Sequence, residues 1–282
     1  MTETGRRTAR HYFRNVNFTI GVVLVGFVVA VAIVSLFYTP YPPDKMDIRN
    51  RLQGPSPAHP LGTDHYGRDL LSRVMRGAVN SITVGFIAVG IGMALGIIFG
   101  MLAGYYGGWL DETTMRVMDV VYGFPPVLTA ILITSILGPG IKNSMIAIGI
   151  YNIPIFARLT RGNFLSLKER DYVIAARAIG RSNLEIIRKH ILPNTLSPLI
   201  VQATISFAIA ILAEAGLSYL GLGTQPPHPS WGLMLKDAQT FIARSIWPAI
   251  FPGLAIAIAV LGFNLLGDGL RDILDPRLAH LR

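Results

Sequence analysis

Six long apolar runs, separated by polar segments, dominate the pattern of hydrophobic and polar positions along the chain. They occupy approximately residues 18–38, 81–105, 113–137, 143–160, 195–216 and 249–267. Apolar runs of about 18 residues or more can cross the hydrocarbon core of a bilayer as helices. The pattern therefore predicts an all-α polytopic membrane protein with six transmembrane helices, whose even number places both termini on one side.

The first run resembles a signal peptide, because four arginines precede it: Arg6, Arg7, Arg10 and Arg14. Its apolar core is longer than that of a cleaved signal, so we interpret it as a retained anchor. The net charge of +9 is also informative, since basic segments of membrane proteins tend to face the cytoplasm. The basic start and the loop 161–193 then place both termini in the cytoplasm.

Small residues recur every four positions in the second span, which places them on one helix face. They are Gly92, Gly96, Gly100 and Gly104. This spacing predicts the close approach of another helix. The third span is interrupted by Pro125 and Pro126, which predict a kink or a break that either lines a cavity or is only structural.

Several side chains near the predicted spans have more than one interpretation. Glu214 can face a translocation path, pair with a partner chain or lie among lipid headgroups. Arg116 and Asp119 are three residues apart and are expected to form an ion pair on one helix face. Trp231 is expected to be an interface anchor. The apolar pattern of residues 70–75 predicts a short interfacial helix before the second span.

The sequence lacks the residues of several catalytic classes. It contains no cysteine, which excludes disulfides and thiolate sites. It has no G-x-x-x-x-G-K-[ST] loop to hold nucleotide phosphates. All six histidines fall outside the spans, and none has H-E-x-x-H spacing. We therefore expect a chain that is not an enzyme and binds no cofactor or metal of its own.

The loop between the fourth and fifth spans contains two capping boxes, at Ser166 with Glu169 and at Ser182 with Glu185. They predict two helices, at about 167–179 and 183–192. Gly180 suits the left-handed end of the first helix, and Pro193 is expected to stop the second. Residues 166–193 are therefore predicted to form a helical hairpin, which we call the hairpin throughout.

The predicted hairpin carries apolar residues that need a covering surface. They include Val173, Ala176, Ile179, Leu184 and Ile187. A simple linker needs neither helix caps nor an apolar stripe. A DNA-binding helix-turn-helix has a similar outline, but the flanking spans would hold it against the bilayer. Docking onto a cytoplasmic protein is the interpretation that we favour.

The hairpin resembles the cytoplasmic EAA motif of ABC-importer permeases, in which Glu-Ala-Ala is followed by Gly and then by Ile-x-Leu-Pro. The matching positions are Ala175, Ala176, Gly180, Leu192 and Pro193. Two positions depart from the motif: Ile174 replaces the glutamate and His190 replaces the isoleucine. The resemblance implies that the hairpin couples the chain to an ATPase. The residues implied in this coupling are Ala175, Ala176, Arg177, Gly180, Arg181, Ser182, Glu185, Leu192 and Pro193.

Four further blocks resemble the second permease of dipeptide, oligopeptide and nickel importers. They are HPLGTDHYGRDLLSRV, GYYGGWLDETTMRVMDVVYGFPP, EAGLSYLGLGTQPPHPSWGLML and FNLLGDGLRDILDPRL. The resemblance implies a type I ABC-importer (MetI-like) transmembrane domain and a second, homologous permease. It also implies two cytoplasmic ATPase subunits that bind ATP and Mg²⁺, an extracytoplasmic solute-binding protein and surrounding lipid, but no nucleic acid.

The expected organisation has three parts: 1–78 with the first span and an outer loop, 79–271 as the transmembrane domain, and 272–282 as a cytoplasmic tail. Residues 39–77 and 217–247 are expected to contact the binding protein. Peptides are the favoured substrate, and nickel or another small solute is the alternative. A secondary transporter would also show broken spans and a membrane carboxylate, but needs no docking hairpin.

Overall fold

The computed structural model describes residues 15–274, and within this range the chain is helical and has no strand, only an isolated bridge between Thr63 and Asp69. The N-terminal arginines and most of the predicted tail 272–282 lie outside the described residues. Ten helices follow one another in chain order: α1 (Val16–Phe37), α2 (Leu70–Tyr106), α3 (Gly108–Tyr122), α4 (Pro126–Leu137), α5 (Ile141–Leu167), α6 (Asp171–Ala178), α7 (Asn183–Ile186), α8 (Leu192–Tyr219), α9 (Trp231–Gln239) and α10 (Trp247–Leu274).

The helices agree with the six predicted spans in position, although not all of them are both long and apolar enough to cross a membrane. Four helical segments of the described chain are long and apolar enough to cross a membrane, namely Val16–Phe37, Leu70–Tyr106, Asn183–Tyr219 and Trp247–Leu274. The bent pair α3 and α4 would make a fifth span. Helix α5 is long enough, but it does not pass that test. The predicted count of six is therefore compatible with the structure.

Helix α2 packs against α5 along its glycine face. A Cβ added at Gly96 would lie 2.6 Å from the Phe156 Cβ, and one added at Gly104 would lie 2.7 Å from the Phe164 Cβ. Gly92 and Gly100 likewise face α5, at Asn152 and Ala157. Real side chains do not approach so closely, so the two helices can touch only because this face has no side chains.

Helices α1, α8 and α10 form a second packed group. The rings of Phe207 and Phe263 stack 4.2 Å apart between α8 and α10. The Asn15 amide donates a hydrogen bond of 3.0 Å to Asp272, so the start of α1 lies beside the end of α10. We call this end of the bundle, which also carries the hairpin, the hairpin end, and the opposite end the outer end.

Residues 39–69 and 220–246 cover the outer end, and a charged cluster joins them. Arg68 Nε donates a hydrogen bond of 2.6 Å to Asp64, and the Arg68 guanidinium also lies 3.6 Å from Asp237 of α9. The buried Arg73 lies 3.7 Å from Asp64. The two segments therefore form one polar layer, which we call the outer layer.

Two expectations for the outer end are wrong. Leu70 begins the long helix α2 and does not belong to a separate interfacial helix. This is because the Asp69 carboxylate caps that helix and the Leu70 side chain is buried. Trp231 is buried as well, since its ring lies against Gly77 and its Nε1 donates a hydrogen bond of 2.9 Å to the Val74 carbonyl. It anchors α9 to α2 instead of lying at a lipid interface.

Candidate functional site

The hairpin begins later than its first capping box predicts. Helix α5 continues to Leu167, so Ser166 lies inside it, and α6 begins at Asp171 without a side-chain cap. The prediction that Ser166 and Glu169 start a helix is therefore wrong. The physical reason is packing, because the fully buried Phe164 lies against Gly104 and holds the last turn of α5 in place.

The turn of the hairpin has the predicted chemistry. Gly180 has φ +80°, the left-handed conformation that favours glycine. The Arg181 amide donates to the Ala176 carbonyl at 3.1 Å and the Gly180 amide to the Arg177 carbonyl at 3.0 Å, as in a Schellman motif. The Ser182 hydroxyl then accepts a hydrogen bond of 3.3 Å from the Glu185 amide and caps α7.

Pro193 does not stop the second helix of the hairpin. Helix α7 continues through a π-helical turn, Ile187–Ile191, into α8, so the prediction that the helix ends at Leu192 is wrong. The ring of a proline clashes with the carbonyl four residues earlier in an α-helix. A wider turn immediately before Pro193 relieves this clash. The second helix of the hairpin and α8 therefore form one continuous helical segment of 37 residues, Asn183–Tyr219.

The hairpin divides its apolar residues between two faces. Val173, Ala176 and Ile187 are buried in a small core together with Tyr105 and Phe164. A different set remains uncovered by this chain: Ile174 is 50% exposed, Ile179 75% and Leu184 74%. We call these three residues the apolar face. The predicted apolar stripe is thus only partly free, because the chain itself covers its inner half.

The residues implied in coupling occupy different environments. Ala175, Arg177, Gly180, Arg181, Ser182 and Pro193 are exposed, Glu185 and Leu192 are half-buried, and Ala176 is buried. Glu185 accepts hydrogen bonds from Arg181 at 2.6 Å and from Lys189 at 2.7 Å. The exposed basic residues Arg177, Arg181 and Lys189 are therefore close along the chain to the apolar face.

Glu214 lies at the outer end of α8 and is fully buried within its own chain. The Ser218 hydroxyl donates a hydrogen bond of 2.7 Å to its Oε1, and the Thr224 hydroxyl donates one of 3.3 Å to the same oxygen. The Thr224 amide in turn donates to the Ser218 hydroxyl at 2.9 Å. Because residues of this chain enclose the carboxylate, Glu214 faces neither solvent nor headgroups. It ties the loop after α8 to the end of that helix.

The third span is broken at its prolines. Helix α3 ends at Tyr122, α4 begins at Pro126, and the two axes are bent by 87°. Asp119, on the last turns of α3, does not pair with Arg116 as expected. Arg116 instead lies 3.1 Å from Glu112, and Asp119 accepts a hydrogen bond of 2.8 Å from Arg158 of α5. The spacing of Arg116 and Asp119 along the chain does not reveal that Asp119 pairs with Arg158, because this arginine lies on another helix.

Comparisons with known proteins agree with this architecture. A family model described as "Binding-protein-dependent transport system inner membrane component" matches residues 96–280, and "N-terminal TM domain of oligopeptide transport permease C" matches residues 4–55. A solved structure, "Inward facing conformations of the MetNI methionine ABC transporter", superposes with a TM-score of 0.60 at 19% identity, over 72% of this chain and 96% of that one. The predicted MetI-like fold is therefore confirmed.

Curated relatives extend the comparison over most of the chain. The dipeptide transport system permease protein DppC of Alkalihalophilus pseudofirmus is 47% identical, over 92% of this chain and 85% of that protein. The glutathione transport system permease protein GsiD of Pectobacterium atrosepticum is 44% identical, over 91% and 85%. The chain thus belongs to the family of binding-protein-dependent transport system inner membrane components, the permease subunits of ABC importers.

Proposed function

We propose that this chain forms, with a second and homologous permease, the membrane path of an ATP-driven importer of short peptides. The relatives named for dipeptide and glutathione transport support this substrate class, since both names describe peptides. The observation that carries the mechanism is the apolar face of the hairpin. Three large aliphatic side chains lie uncovered in a hairpin that buries Val173, Ile186 and Ile187.

The apolar face suits a groove on a cytoplasmic ATPase. An exposed apolar cluster with a polar and basic rim is typical of a protein interaction site. The hairpin is anchored to the bundle at its base, where Lys168 donates a hydrogen bond of 3.2 Å to the Gly104 carbonyl. A push on the tip is therefore transmitted to α2 and α8. ATP and Mg²⁺ would bind to the ATPase subunits, and this chain would convert their closure into movement of its helices.

The remaining assignments follow from the proposed contact between the hairpin and a cytoplasmic ATPase. In this proposal the chain lies in a prokaryotic inner membrane with its hairpin end and both termini on the cytoplasmic side, and the outer layer receives the solute-binding protein. Residues 79–271 form the transmembrane domain, 1–78 its N-terminal extension with the first span, and 272–282 a cytoplasmic tail. The polar composition of the outer layer and its fixed charged cluster make it a suitable docking platform.

Reconstitution of the complete transporter tests this proposal. The chain, its partner permease, the ATPases and the binding protein are placed in proteoliposomes, and uptake of a radiolabelled dipeptide is measured with and without ATP. ATP-dependent uptake that requires the binding protein is expected. Uptake of nickel but not of peptide would support the alternative substrate. Uptake that continues without ATP and stops when ionophores collapse the ion gradients would support a secondary transporter instead.

A further inference from the structure

One charged pair of the described chain lies in an unexpected place. The Arg158 guanidinium of α5 donates a hydrogen bond of 2.8 Å to the Asp119 carboxylate of α3. The pair is far from enclosed, since the Asp119 side chain is 67% exposed and that of Arg158 is 40% exposed. Arg158 is also the only charged residue of the predicted span 143–160. A single charge within an apolar span indicates a functional position, and this charge is visible in the sequence alone.

The depth of the pair decides what it can face. Arg158 lies about nine residues, or roughly 14 Å, before the end of α5 at Leu167. Asp119 lies about eleven residues, or roughly 17 Å, after the start of α3 at Gly108. Within the predicted spans, Asp119 is the seventh residue of 113–137 and Arg158 the third residue from the end of 143–160, so both lie in the halves nearer the hairpin end. Charged side chains at such positions face a bundle interior or a water-filled cavity, because exposure to lipid tails is costly.

Aromatic side chains extend this polar patch towards the break in the third span. The Arg158 guanidinium lies over the Tyr122 ring, 4.5 Å from its centre, and the Tyr122 and Tyr151 rings stack 5.7 Å apart. Tyr122 is the last residue of α3, immediately before the 87° bend. Non-helical backbone within a membrane is tolerated where it is buried in protein or lines a water-filled cavity. Because residues 122–125 are exposed in this chain, the break either contacts a partner protein or meets water, and in neither case does it face lipid.

We propose that Asp119, Tyr122, Tyr151 and Arg158 line the translocation path and contact the charged ends of a passing peptide. This inference rests on the proposed function. An arginine has five N–H donors, and in the described part of the chain Arg158 uses one of them, in its bond to Asp119. The others can bind a peptide carboxylate as a fork. The Asp119 carboxylate can accept hydrogen bonds from the peptide ammonium group, while the two tyrosines contact the peptide backbone.

A neighbouring ion pair on the same two helices provides a matched control. Arg161 of α5 donates a hydrogen bond of 2.7 Å to Asp111 of α3, one turn closer to the hairpin. This pair is better covered, because the Asp111 side chain is 17% exposed and that of Arg161 is 34% exposed. The Arg161–Asp111 pair links α3 and α5 as the Arg158–Asp119 pair does, but it lies nearer to the hairpin end. Loss of Arg158 or of Arg161 therefore removes one ion pair between the same two helices.

Cysteine labelling tests whether the patch faces water. The chain has no cysteine, so a single introduced thiol identifies its own position. In the complete transporter in proteoliposomes, Tyr122→Cys is compared with Phe27→Cys, whose native side chain is 58% exposed on α1. A membrane-impermeant methanethiosulfonate reagent should label Tyr122→Cys at least tenfold faster, as read from the mass of this chain. Equal labelling rates would overturn the placement in the path.

Uptake kinetics test the contact with peptide. Arg158→Gln and Asp119→Asn should each raise the KM for dipeptide about tenfold or more relative to Arg161→Gln. A KM for Arg158→Gln equal to that of Arg161→Gln would overturn the inference. If wild-type transporter imports no peptide, the proposed function and the peptide contact both fail, while the labelling comparison still decides the placement of the patch in the path.

Discussion

The Tyr105 hydroxyl at the end of α2 donates a hydrogen bond of 2.7 Å to the Asn183 side chain at the start of α7. It joins the glycine-faced helix to the second half of the hairpin. Tyr105→Phe removes this bond and should weaken hairpin docking by about 1 kcal/mol. Amide hydrogen exchange across residues 183–187 should accelerate, whereas Tyr106→Phe, at an exposed neighbouring ring, should leave it unchanged.

A substitution at Gly180 should strain the turn of the hairpin. No atom lies within 4 Å of an added Cβ there, so the cost comes from the φ of +80° and not from a clash. Gly180→Val should destabilise the turn by about 1–2 kcal/mol or more. In reconstituted transporter we expect more ATP hydrolysed per peptide imported.

Gly162→Val provides the control for this experiment, because Gly162 also has open space around its Cβ but lies within α5. Membrane insertion should be normal for both variants. An unchanged ratio of hydrolysis to uptake in Gly180→Val would argue against a coupling role for the turn.

The glycine face of α2 allows a comparison within one helix. A methyl group at Gly96 would lie 2.6 Å from the Phe156 Cβ and 2.7 Å from the Ile153 carbonyl oxygen, whereas one at Gly90 meets no atom within 4 Å. Gly96→Ala should therefore cost about 1–3 kcal/mol through overpacking. Thermal unfolding in detergent should show a lower midpoint for Gly96→Ala and an equal or higher one for Gly90→Ala. Equal midpoints would contradict the close contact.

Replacement of Glu214 should loosen the loop that follows α8. Glu214→Ala leaves the buried Ser218 hydroxyl without its acceptor and should cost about 1–3 kcal/mol. Glu214→Gln keeps an acceptor oxygen and should restore most of the loss. Hydrogen exchange across residues 220–230 measures the effect, and equal protection in the alanine and glutamine variants would show that the hydrogen bonds contribute little.

The outer layer should respond to pH through His65. Burial lowers the pKa of His65 below its ordinary value of 6.5, and the repulsion of Arg68 and Arg73 acts in the same direction, while Asp64 and Asp237 oppose it. The unfolded layer therefore binds more protons than the folded one, so stability is lost as pH falls below about 6.5. The protection factors of amides in residues 59–69, which compare their exchange with that of an unstructured chain at the same pH, should fall between pH 7.5 and 5.5.

His65→Gln should remove this pH dependence, because glutamine does not titrate. The ring of His65 also stacks on Phe241 at 4.9 Å, so the variant should lose some protection at every pH. An unchanged slope of the protection factor against pH in His65→Gln would assign the effect to another group.

Sequence periodicity predicted those features that depend on neighbouring residues in the chain. The four-residue repeat of glycines predicts close packing whatever helix lies opposite, and the structure supplies α5. The sequence of Gly180 and Ser182 predicts a left-handed turn followed by a cap, because both act within a few residues. Pro125 likewise predicts a break, since the constraint on its own backbone is local.

Features that depend on distant contacts were not predictable in this way. The Ser166 capping box fails because Phe164 packs against Gly104 and extends α5 beyond it. Pro193 fails as a stop because a π-helical turn accommodates its ring. The partner of Asp119 was missed because Arg158 follows it by 39 residues. In each case the local sequence allows two conformations. Contacts between residues far apart in the sequence select one of them.

The continuous helix from Asn183 to Tyr219 has a mechanical consequence. With 37 residues it is roughly 55 Å long, and it reaches from the turn of the hairpin past the buried carboxylate of Glu214. If this helix moves as a rigid body, a tilt of about 10° displaces one end by about 10 Å relative to the other. In the proposed transporter, a small movement at the ATPase would then produce a large displacement at the outer end of the bundle, and no helix would have to unfold.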